Sequence, residues 1–334
     1  MTWLTWRQFR VPAVSVFAGL AVIGVVLAIT GPDLVGRTDF SDSDFLYSAT
    51  ILLMYLLPAV IGVFWGVPMI TRELETGTHS LIWNQTITRG RWLATKLGVG
   101  VLAGMVASGL LSLAVTWWAS PIDALANQQT ERGMLNWLSP VVFSARGIAP
   151  IGYAAFAFVL GVAVGMLLRR TVLAMGVTLL ALVGVFLAVP FLVRPYLLPP
   201  LEQTVAIESD SILGAHGDNT GLVEAIIVRE PTGAWVLADE TVDPAGNVVT
   251  PLPDFVQNCM PTPGRNPQNA QPGPPEPGDM RACLAKLGER GYHQRITYQP
   301  GYRFWPLQWL ELAIYLAFSA LLTWLCFRRL RHLS

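Results

Sequence analysis

Six apolar stretches, each long enough to cross a lipid bilayer as a helix, constrain this chain more than any other feature. The hydrocarbon core of a bilayer is about 30 Å thick, and roughly 20 helical residues span it. The stretches cover residues 11–29, 45–70, 93–118, 147–168, 172–193 and 305–327. Charged residues make up 13% of the chain, against about 25% in soluble domains. The sequence therefore predicts an all-α polytopic membrane protein with six transmembrane helices.

Basic residues are concentrated at one set of span ends. With a cytoplasmic N-terminus, the inner side carries Arg7, Arg10, Arg72, Arg89, Arg91, Lys96, Arg169, Arg170, Arg328, Arg329 and Arg331. The opposite side carries Arg37, Arg132 and Arg146 in short loops, with Arg194 and Arg303 beside a long one. Because cytoplasmic loops are enriched in Lys and Arg, both termini are predicted to be cytoplasmic, in a multi-pass protein of a bacterial plasma membrane.

Residues 1–10, MTWLTWRQFR, combine tryptophan and arginine. This mixture suits an interfacial helix that lies at the membrane surface, and it equally suits the flank of the first span. No small-residue cleavage site closes the apolar run that follows, so the sequence predicts a retained first helix rather than a signal peptide.

Two of the shorter loops leave alternatives open. Asp39, Asp42 and Asp44 could hold a divalent cation, but Ser41–Ser43 would also provide an N-cap for the second span, which we favour. Residues 134–142 are mildly apolar and interrupted by Pro140, which indicates a surface or re-entrant helix. Arg169 and Arg170 alone join the fourth and fifth spans, which predicts a tight helical hairpin.

Residues 194–304 form the only long water-soluble stretch. Strand-like runs at 223–228 and 234–238 are followed by the turn sequence DPAGN, so we expect a small α/β or β-containing lobe on the extracytoplasmic side, between helices 5 and 6. Residues 261–278 are rich in Pro, Gly, Asn and Gln, which predicts an irregular loop. The predicted domains are residues 1–193, 194–304 and 305–334.

Cys259 and Cys283 flank this irregular loop on the predicted outer side, where disulfides persist. A bridge would close a loop of about 25 residues, worth about 3 kcal/mol on the chain-entropy model. Zinc is a weaker alternative, because the sequence has no CxxC spacing and His293 alone does not complete a ligand set. Cys326, in the last turn of the sixth span, is interpreted as a small apolar residue.

The sequence lacks the motifs of several enzyme classes. It contains no GxxxxGK[ST] phosphate loop, no HExxH and no GxSxG. We therefore predict no catalytic residues, no metal site and no ATP bound by the chain itself. The absence of basic blocks argues against a nucleic-acid partner.

Glu311 is an ionisable residue inside the sixth span, about 9 Å from its outer end at 1.5 Å per residue. Such residues are functional candidates by default, so Glu311 is a candidate for the substrate path. A structural role is the stronger alternative, because the helix dipole favours a carboxylate near this end and an arginine of the outer loops could pair with it.

Residues 71–96, TRELETGTHSLIWNQTITRGRWLATK, form a polar interval on the predicted cytoplasmic side. The second span can continue as a helix into water with Arg72, Glu73 and Glu75, until Gly77 breaks it. Leu81, Ile82 and Trp83 then lie on a short segment that no lipid contact requires, before the chain re-enters the membrane.

The pattern RE-x-E-x-GT followed by TR-x-RW-x3-KL resembles the segment after the second span of exporter-type ABC permeases, the type-2 ABC permease family. The amphipathic start, six spans, cytoplasmic termini and outer insertion before the last span are also similar to that family. The insertion departs from the short re-entrant helices often found there, so the resemblance does not indicate a substrate.

The resemblance implies a transmembrane subunit that forms a homodimer and binds two copies of a separate nucleotide-binding ATPase, which would carry ATP and Mg²⁺. It further implies that residues 77–86, with Gly77, Thr78, Leu81, Ile82 and Trp83, form a coupling helix docked on the ATPase. Glu73 and Glu75 would lie at its approach. Movement of the docked helix would tilt the attached spans and export a hydrophobic or amphipathic substrate.

Two other functions remain as alternatives. A membrane-anchored sensor would bind an extracellular ligand through the lobe without transport. A polytopic membrane enzyme is disfavoured because no intramembrane catalytic set is present.

Overall fold

The computed structural model describes residues 2–37, 39–76, 88–128, 136–217, 223–257, 259 and 277–330. Within these residues six helices are long and apolar enough to cross a membrane: Arg10–Leu34, Asp44–Glu75, Arg89–Asn127, Ala149–Leu168, Thr171–Tyr196 and Gly301–Leu330. They coincide with the six predicted stretches, which confirms a mostly helical, multi-pass membrane protein.

The helices are numbered in chain order. They are α1 (Thr2–Thr30), α2 (Asp44–Val60), α3 (Val67–Glu75), α4 (Arg89–Gln128), α5 (Pro140–Phe143), α6 (Ala149–Leu168), α7 (Thr171–Ala188), α8 (Asp254–Gln257), α9 (Pro277–Glu289) and α10 (Phe304–Leu330). A π-helical turn, Ile61–Gly66, joins α2 to α3, and a second one, Val189–Val193, extends α7.

The chain divides into two compact units. The membrane unit comprises Met1–Leu125, Ser139–Leu198 and Arg303–Ser334. The lobe comprises Ala126–Leu138 and Pro199–Tyr302.

Helix α6 is the centre of the membrane unit. It is rich in Ala and Gly, and most of its side chains are buried, including Tyr153, Phe158 and Met166. Helices α2, α3, α7 and α10 all pack against it. The α7 side chains Val172 and Leu180 are 85% and 74% exposed, as expected of a helix that faces lipid.

Facing glycines allow the close approach of α6 to the π-helical turn before α3. A Cβ atom on Gly66 would lie 2.5 Å from the Phe158 carbonyl oxygen, and one on Gly161 would overlap the Gly62 carbonyl oxygen. Gly62–Gly66 and Gly161–Gly165 are both small-xxx-small pairs, which bring transmembrane helices together. A small-residue pair on each side therefore permits this close packing.

The N-terminal residues continue directly into the first span. Helix α1 is unbroken from Thr2 to Thr30, which favours the flank of a span over a separate interfacial helix. Helix α4 continues past the predicted end at 118 and through Pro121, because Ile122 and Ala126 are buried on the same helix. Proline costs a helix one hydrogen bond, and this burial offsets it.

The described part of the acidic segment before α2 contains no candidate metal site. Ser43 occupies the N-cap position of α2 without a side-chain hydrogen bond, and Asp44 lies in its first turn. The described residues contain no group of three His, Cys, Asp or Glu side chains placed to hold a metal ion. Of the stretch 134–142, residues 136–139 are not helical, and α5 begins at Pro140, which has a fixed φ suited to a first helical turn.

The lobe contains two antiparallel sheets. Strands β1 (Leu201–Ala206), β5 (His293–Gln299) and β4 (Trp235–Val242) form one sheet in that order, and β2 (Ile212–Gly217) pairs with β3 (Val223–Val228). In the first sheet, Leu201 faces Tyr298 and Ala206 faces His293. The sheet-containing lobe is therefore confirmed as a fold.

The lobe departs from the sequence prediction in several details. Strand β3 has the predicted bounds, but β4 runs to Val242, beyond the predicted 234–238. Residues 277–278, predicted as irregular, begin helix α9. Residues 260–276 lie outside the described part of the chain.

A disulfide joins Cys259 to Cys283 of α9, as predicted. Cys259 belongs to a buried apolar core that also contains Ile226 of β3, Leu284 of α9 and Ile296 of β5. The bridge thus connects α9 to the same core as both sheets. Cys326 is a buried free cysteine, in agreement with its interpretation as a small apolar residue.

The sequence DPAGN forms the predicted turn after β4. Asp243 accepts hydrogen bonds from the backbone N–H groups of Ala245 (2.9 Å) and Asn247 (2.8 Å). The bonds from Asn247 are the main cause that lowers the pKa of Asp243 below its usual value. Gly246 has a φ of 87°, a conformation that glycine adopts without strain.

Candidate functional site

Polar side chains from three helices meet where α3 ends and where α4 and α7 begin. This α3–α4–α7 cluster consists of Thr71, Glu73, Glu75, Lys96 and Thr171. Four of its members lie near the two ends of the polar interval 71–96, and Thr171 lies at the α6–α7 hairpin. The cluster therefore connects both ends of that interval to the helix bundle.

Glu73 and Lys96 form a buried ion pair. The Lys96 Nζ atom lies 2.5 Å from Glu73 Oε1 and donates a second hydrogen bond to the Met69 carbonyl oxygen at 3.0 Å. The same ammonium lies 4.9 Å from the centre of the Trp92 ring. Glu73 was predicted to lie in water, but it is 8% exposed, and Lys96 is 4% exposed. Burial of both residues is possible because their charges are paired.

Glu75 is exposed and binds the start of α7. Its Oε1 atom accepts a hydrogen bond from the Thr171 backbone N–H at 2.5 Å, and its Oε2 atom accepts one from Thr171 Oγ1 at 2.8 Å. Thr171 Oγ1 also lies 2.8 Å from Thr71 Oγ1. A carboxylate at a helix N-terminus satisfies an otherwise unpaired N–H group and complements the helix dipole.

The predicted coupling residues Gly77, Thr78, Leu81, Ile82 and Trp83 lie outside the described residues. Helix α3 ends at Glu75 with Thr76 as its C-cap, and α4 begins at Arg89.

A second cluster lies deep in the bundle and joins α6, α7 and α10. In this α6–α7–α10 cluster, Arg194 Nε lies 2.8 Å from Glu311 Oε2, and Arg194 Nη2 lies 2.9 Å from Glu311 Oε1. Tyr153 Oη donates to Glu311 Oε1 at 2.5 Å. Arg194 and Glu311 are 0% and 1% exposed, so the pair is removed from water.

The remaining donors of Arg194 hold the segment that contains α5. Its Nη1 atom donates to the Pro140 carbonyl oxygen at 3.0 Å, and its Nη2 atom donates to Ser144 Oγ at 2.6 Å. The guanidinium also lies 4.2 Å from the centre of the Phe143 ring. Arg194 and Glu311 thus form a bidentate pair, and the additional hydrogen bonds of the guanidinium offset the cost of burying both charges.

Gln308 of α10 fixes the backbone between α5 and α6. Its Oε1 atom accepts from the N–H groups of Ile148 (3.0 Å) and Ala149 (2.7 Å), and its Nε2 atom donates to the Phe143 and Arg146 carbonyl oxygens. Non-helical backbone within a membrane protein requires such internal partners.

Arg146 forms a further buried pair beside this segment. Its Nε atom lies 3.0 Å from Asp123 Oδ2, and Tyr47 Oη donates to Asp123 Oδ1 at 2.8 Å. These contacts join α2, α4 and the start of α6.

The α3–α4–α7 and α6–α7–α10 clusters lie at opposite ends of α6. Tyr153 is separated from Leu168, the last residue of α6, by about 22 Å along the helix axis at 1.5 Å per residue, and Thr171 follows just after it. Sequence analysis identified Glu73, Glu75 and Glu311, and it anticipated an arginine partner for Glu311. It did not identify Lys96, Thr171 or Tyr153 as partners, since none of them forms a local motif.

Part of the membrane unit is similar to a known protein family. Residues 30–194 match a family described as ABC-2 membrane transporter related. A search of curated proteins and one of solved structures found no match. The matched region contains the second to fifth spans and both ends of the polar interval 71–96. The match over residues 30–194 therefore supports an ABC-2 type permease.

Proposed function

We propose that this chain is the permease of an ATP-driven exporter that moves a hydrophobic or amphipathic substrate outward across a bacterial plasma membrane. Permeases of the family generally pair with an ABC ATPase subunit. The observation that carries the proposal is the α3–α4–α7 cluster. It joins α3 and α4, the helices on either side of residues 77–87, to each other and to α7. A segment that docks on an ATPase requires such attachment to the helix bundle.

The proposed orientation has both termini in the cytoplasm and the lobe outside. Two arginines on the opposite side, Arg146 and Arg194, are buried and paired with Asp123 and Glu311. They therefore contribute little free positive charge to that side. Lys96 on the inner side is paired in the same way, so the orientation rests on the larger number of basic residues at the inner span ends.

We propose that coupling acts through two contacts of the cluster. They are the Glu73–Lys96 ion pair and the hydrogen bonds between Glu75 and Thr171. A force on residues 77–86 reaches α3 and α4 together, because Glu73 and Lys96 hold the two helices. It reaches the α6–α7 hairpin through Glu75 and Thr171. Closure of an ATP- and Mg²⁺-bound ATPase dimer would then shift several spans at once between two arrangements.

Two permease copies and two ATPase subunits complete the proposed exporter. Glu311 is assigned an indirect role in the substrate path, since Arg194 and Tyr153 engage both of its oxygen atoms. It positions α6, α7 and α10 rather than contacting the substrate.

The proposal is tested by isolating the full chain from its native membrane under mild conditions. We expect an ATP-binding subunit to co-purify in a 1:1 ratio, and its ATP hydrolysis to depend on the permease. If no nucleotide-binding protein is recovered while the lobe binds an extracellular ligand, the chain is a sensor and the exporter proposal is wrong.

Glu75→Gln should weaken coupling while leaving the ATPase bound. The change reduces acceptance from Thr171, so the α6–α7 hairpin follows α3 less closely. We expect ATP-driven transport to fall by roughly threefold or more, a typical effect of mutations that modulate coupling between sites. Transport into inverted vesicles and ATP hydrolysis are measured on the same preparation.

Thr171→Val should give a smaller loss, because the backbone N–H of residue 171 still donates to Glu75 Oε1. The double variant should lose little more than Glu75→Gln alone, since both changes affect one contact. Glu202→Gln, which removes an exposed carboxylate in β1, is the matched control and should leave transport unchanged. Additive losses from Glu75→Gln and Thr171→Val would show that the contact does not carry the coupling.

A further inference from the structure

A groove between the C-terminal ends of α6 and α10 presents both an apolar and a basic surface. Its volume is about 530 Å³, within the range of small-molecule sites. Met166, Leu322 and Leu325 contribute to its apolar walls. Arg169 and the pair Arg328–Arg329 line it where both helices end. Along α6 and α10, the apolar part of the groove therefore lies before the basic part.

The three arginines offer positive charge to a ligand. Arg169, Arg328 and Arg329 are exposed, and among the described residues none of them forms an ion pair with a carboxylate. The Arg328 guanidinium lies 5.6 Å from the centre of the Trp324 ring, which leaves its N–H groups available to an anion. Guanidinium groups present paired donors that match the oxygens of a phosphate.

We propose that this groove binds one anionic phospholipid. Its phosphate lies against Arg169, Arg328 and Arg329, and the first part of an acyl chain lies along Leu322 and Leu325. Basic pockets between transmembrane helices recognise anionic headgroups by this combination of charge and apolar contact. A free phosphate would leave the apolar walls without a partner.

The dimensions agree with this occupant. From Leu322 to Arg329 the helix rises about 10 Å at 1.5 Å per residue, enough for a headgroup and the beginning of one chain. The groove lies at the ends of two membrane-spanning helices, and such ends are expected at headgroup depth. Binding does not depend on the exporter function. The proposed orientation would place this groove in the cytoplasmic leaflet.

Native mass spectrometry of the purified full chain tests the proposal. The protein is incubated with phosphatidylglycerol or phosphatidylcholine, and retained lipid is counted. We expect one phosphatidylglycerol per chain, with about tenfold or greater preference over phosphatidylcholine. R328Q/R329Q should lose most of this preference. R72Q/R91Q removes two exposed arginines outside the groove and should retain it.

Further experiments distinguish a phospholipid from other possible ligands of the groove. Leu325→Asn, at an exposed wall position, should lower retention of phosphatidylglycerol several-fold, since apolar contact is part of the site. Inorganic phosphate at equal concentration should not displace the lipid; displacement would indicate a phosphate site and overturn the proposal. Equal retention of both lipids, or equal losses in R328Q/R329Q and R72Q/R91Q, would also overturn it.

If the variants do not fold, a rise in wild-type melting temperature with phosphatidylglycerol alone is the supporting result, and an equal rise with both lipids is the contradicting one.

Discussion

Glu311→Gln is expected to destabilise the membrane unit by about 3–5 kcal/mol, the usual effect of removing one partner of a buried ion pair. The substitution keeps the size of the side chain but leaves the charge of Arg194 uncompensated where both residues are almost fully buried. The rate of thermal inactivation in detergent measures the effect, because membrane proteins often unfold irreversibly. We expect a much shorter half-life at a fixed temperature.

A double variant distinguishes a broken ion pair from general damage to the helix. Arg194→Met with Glu311→Leu removes both charges and should recover much of the lost stability. Ser319→Ala, on the same helix, removes a hydroxyl bonded only to the Tyr315 carbonyl oxygen one turn earlier and serves as the control. It should change the half-life little. A double variant no more stable than Glu311→Gln would mean that the charge of Arg194 is not the cause.

Alanine at Leu81, Ile82 and Trp83 together should lower the affinity for the ATPase by about a hundredfold or more. Large apolar side chains at the centre of an interface commonly contribute 2 kcal/mol or more each, so roughly 3 kcal/mol for the three is a modest expectation. Co-purification and permease-stimulated ATP hydrolysis measure the loss. The six spans should remain folded, because the substitutions lie outside all of them.

Val35→Ala with Val248→Ala is the control for this experiment. Both valines are exposed, and both lie outside the interval 71–96. The control should bind the ATPase as tightly as the wild type. If the triple variant retains both ATPase binding and ATP-driven transport, the docking segment lies elsewhere in the chain.

The membrane-spanning helices were predictable because their signal is simple. Long apolar runs must form helices in lipid, where no water is available to satisfy the backbone. The lobe was less predictable, because its strands are short and carry mixed side chains. Strand β1 (LEQTVA) is mostly exposed and β5 (HQRITYQ) has many polar residues, so neither has the apolar pattern that identified β3.

The sequence predicted which residues are candidates for the site, but not which of them contact each other. An ionisable group in a span needs a partner, which made an arginine for Glu311 foreseeable. Its identity as Arg194 depends on the packing of α7 against α6, which is a tertiary property. The burial of Lys96 depends on tertiary structure in the same way: a lysine near a span end usually extends to water, but Glu73 provides a buried partner.

The pairing of Arg194 with Glu311 also sets an order on synthesis of the chain. The two residues are 117 positions apart, with the whole of 199–302 made between them. Until the last helix is inserted, the α7 end carries a guanidinium with no counter-ion in an apolar setting, which is unfavourable. Insertion of the sixth span is therefore the step that neutralises the nascent bundle, and a chain that stops short of it bears an unmatched charge that marks it as incomplete.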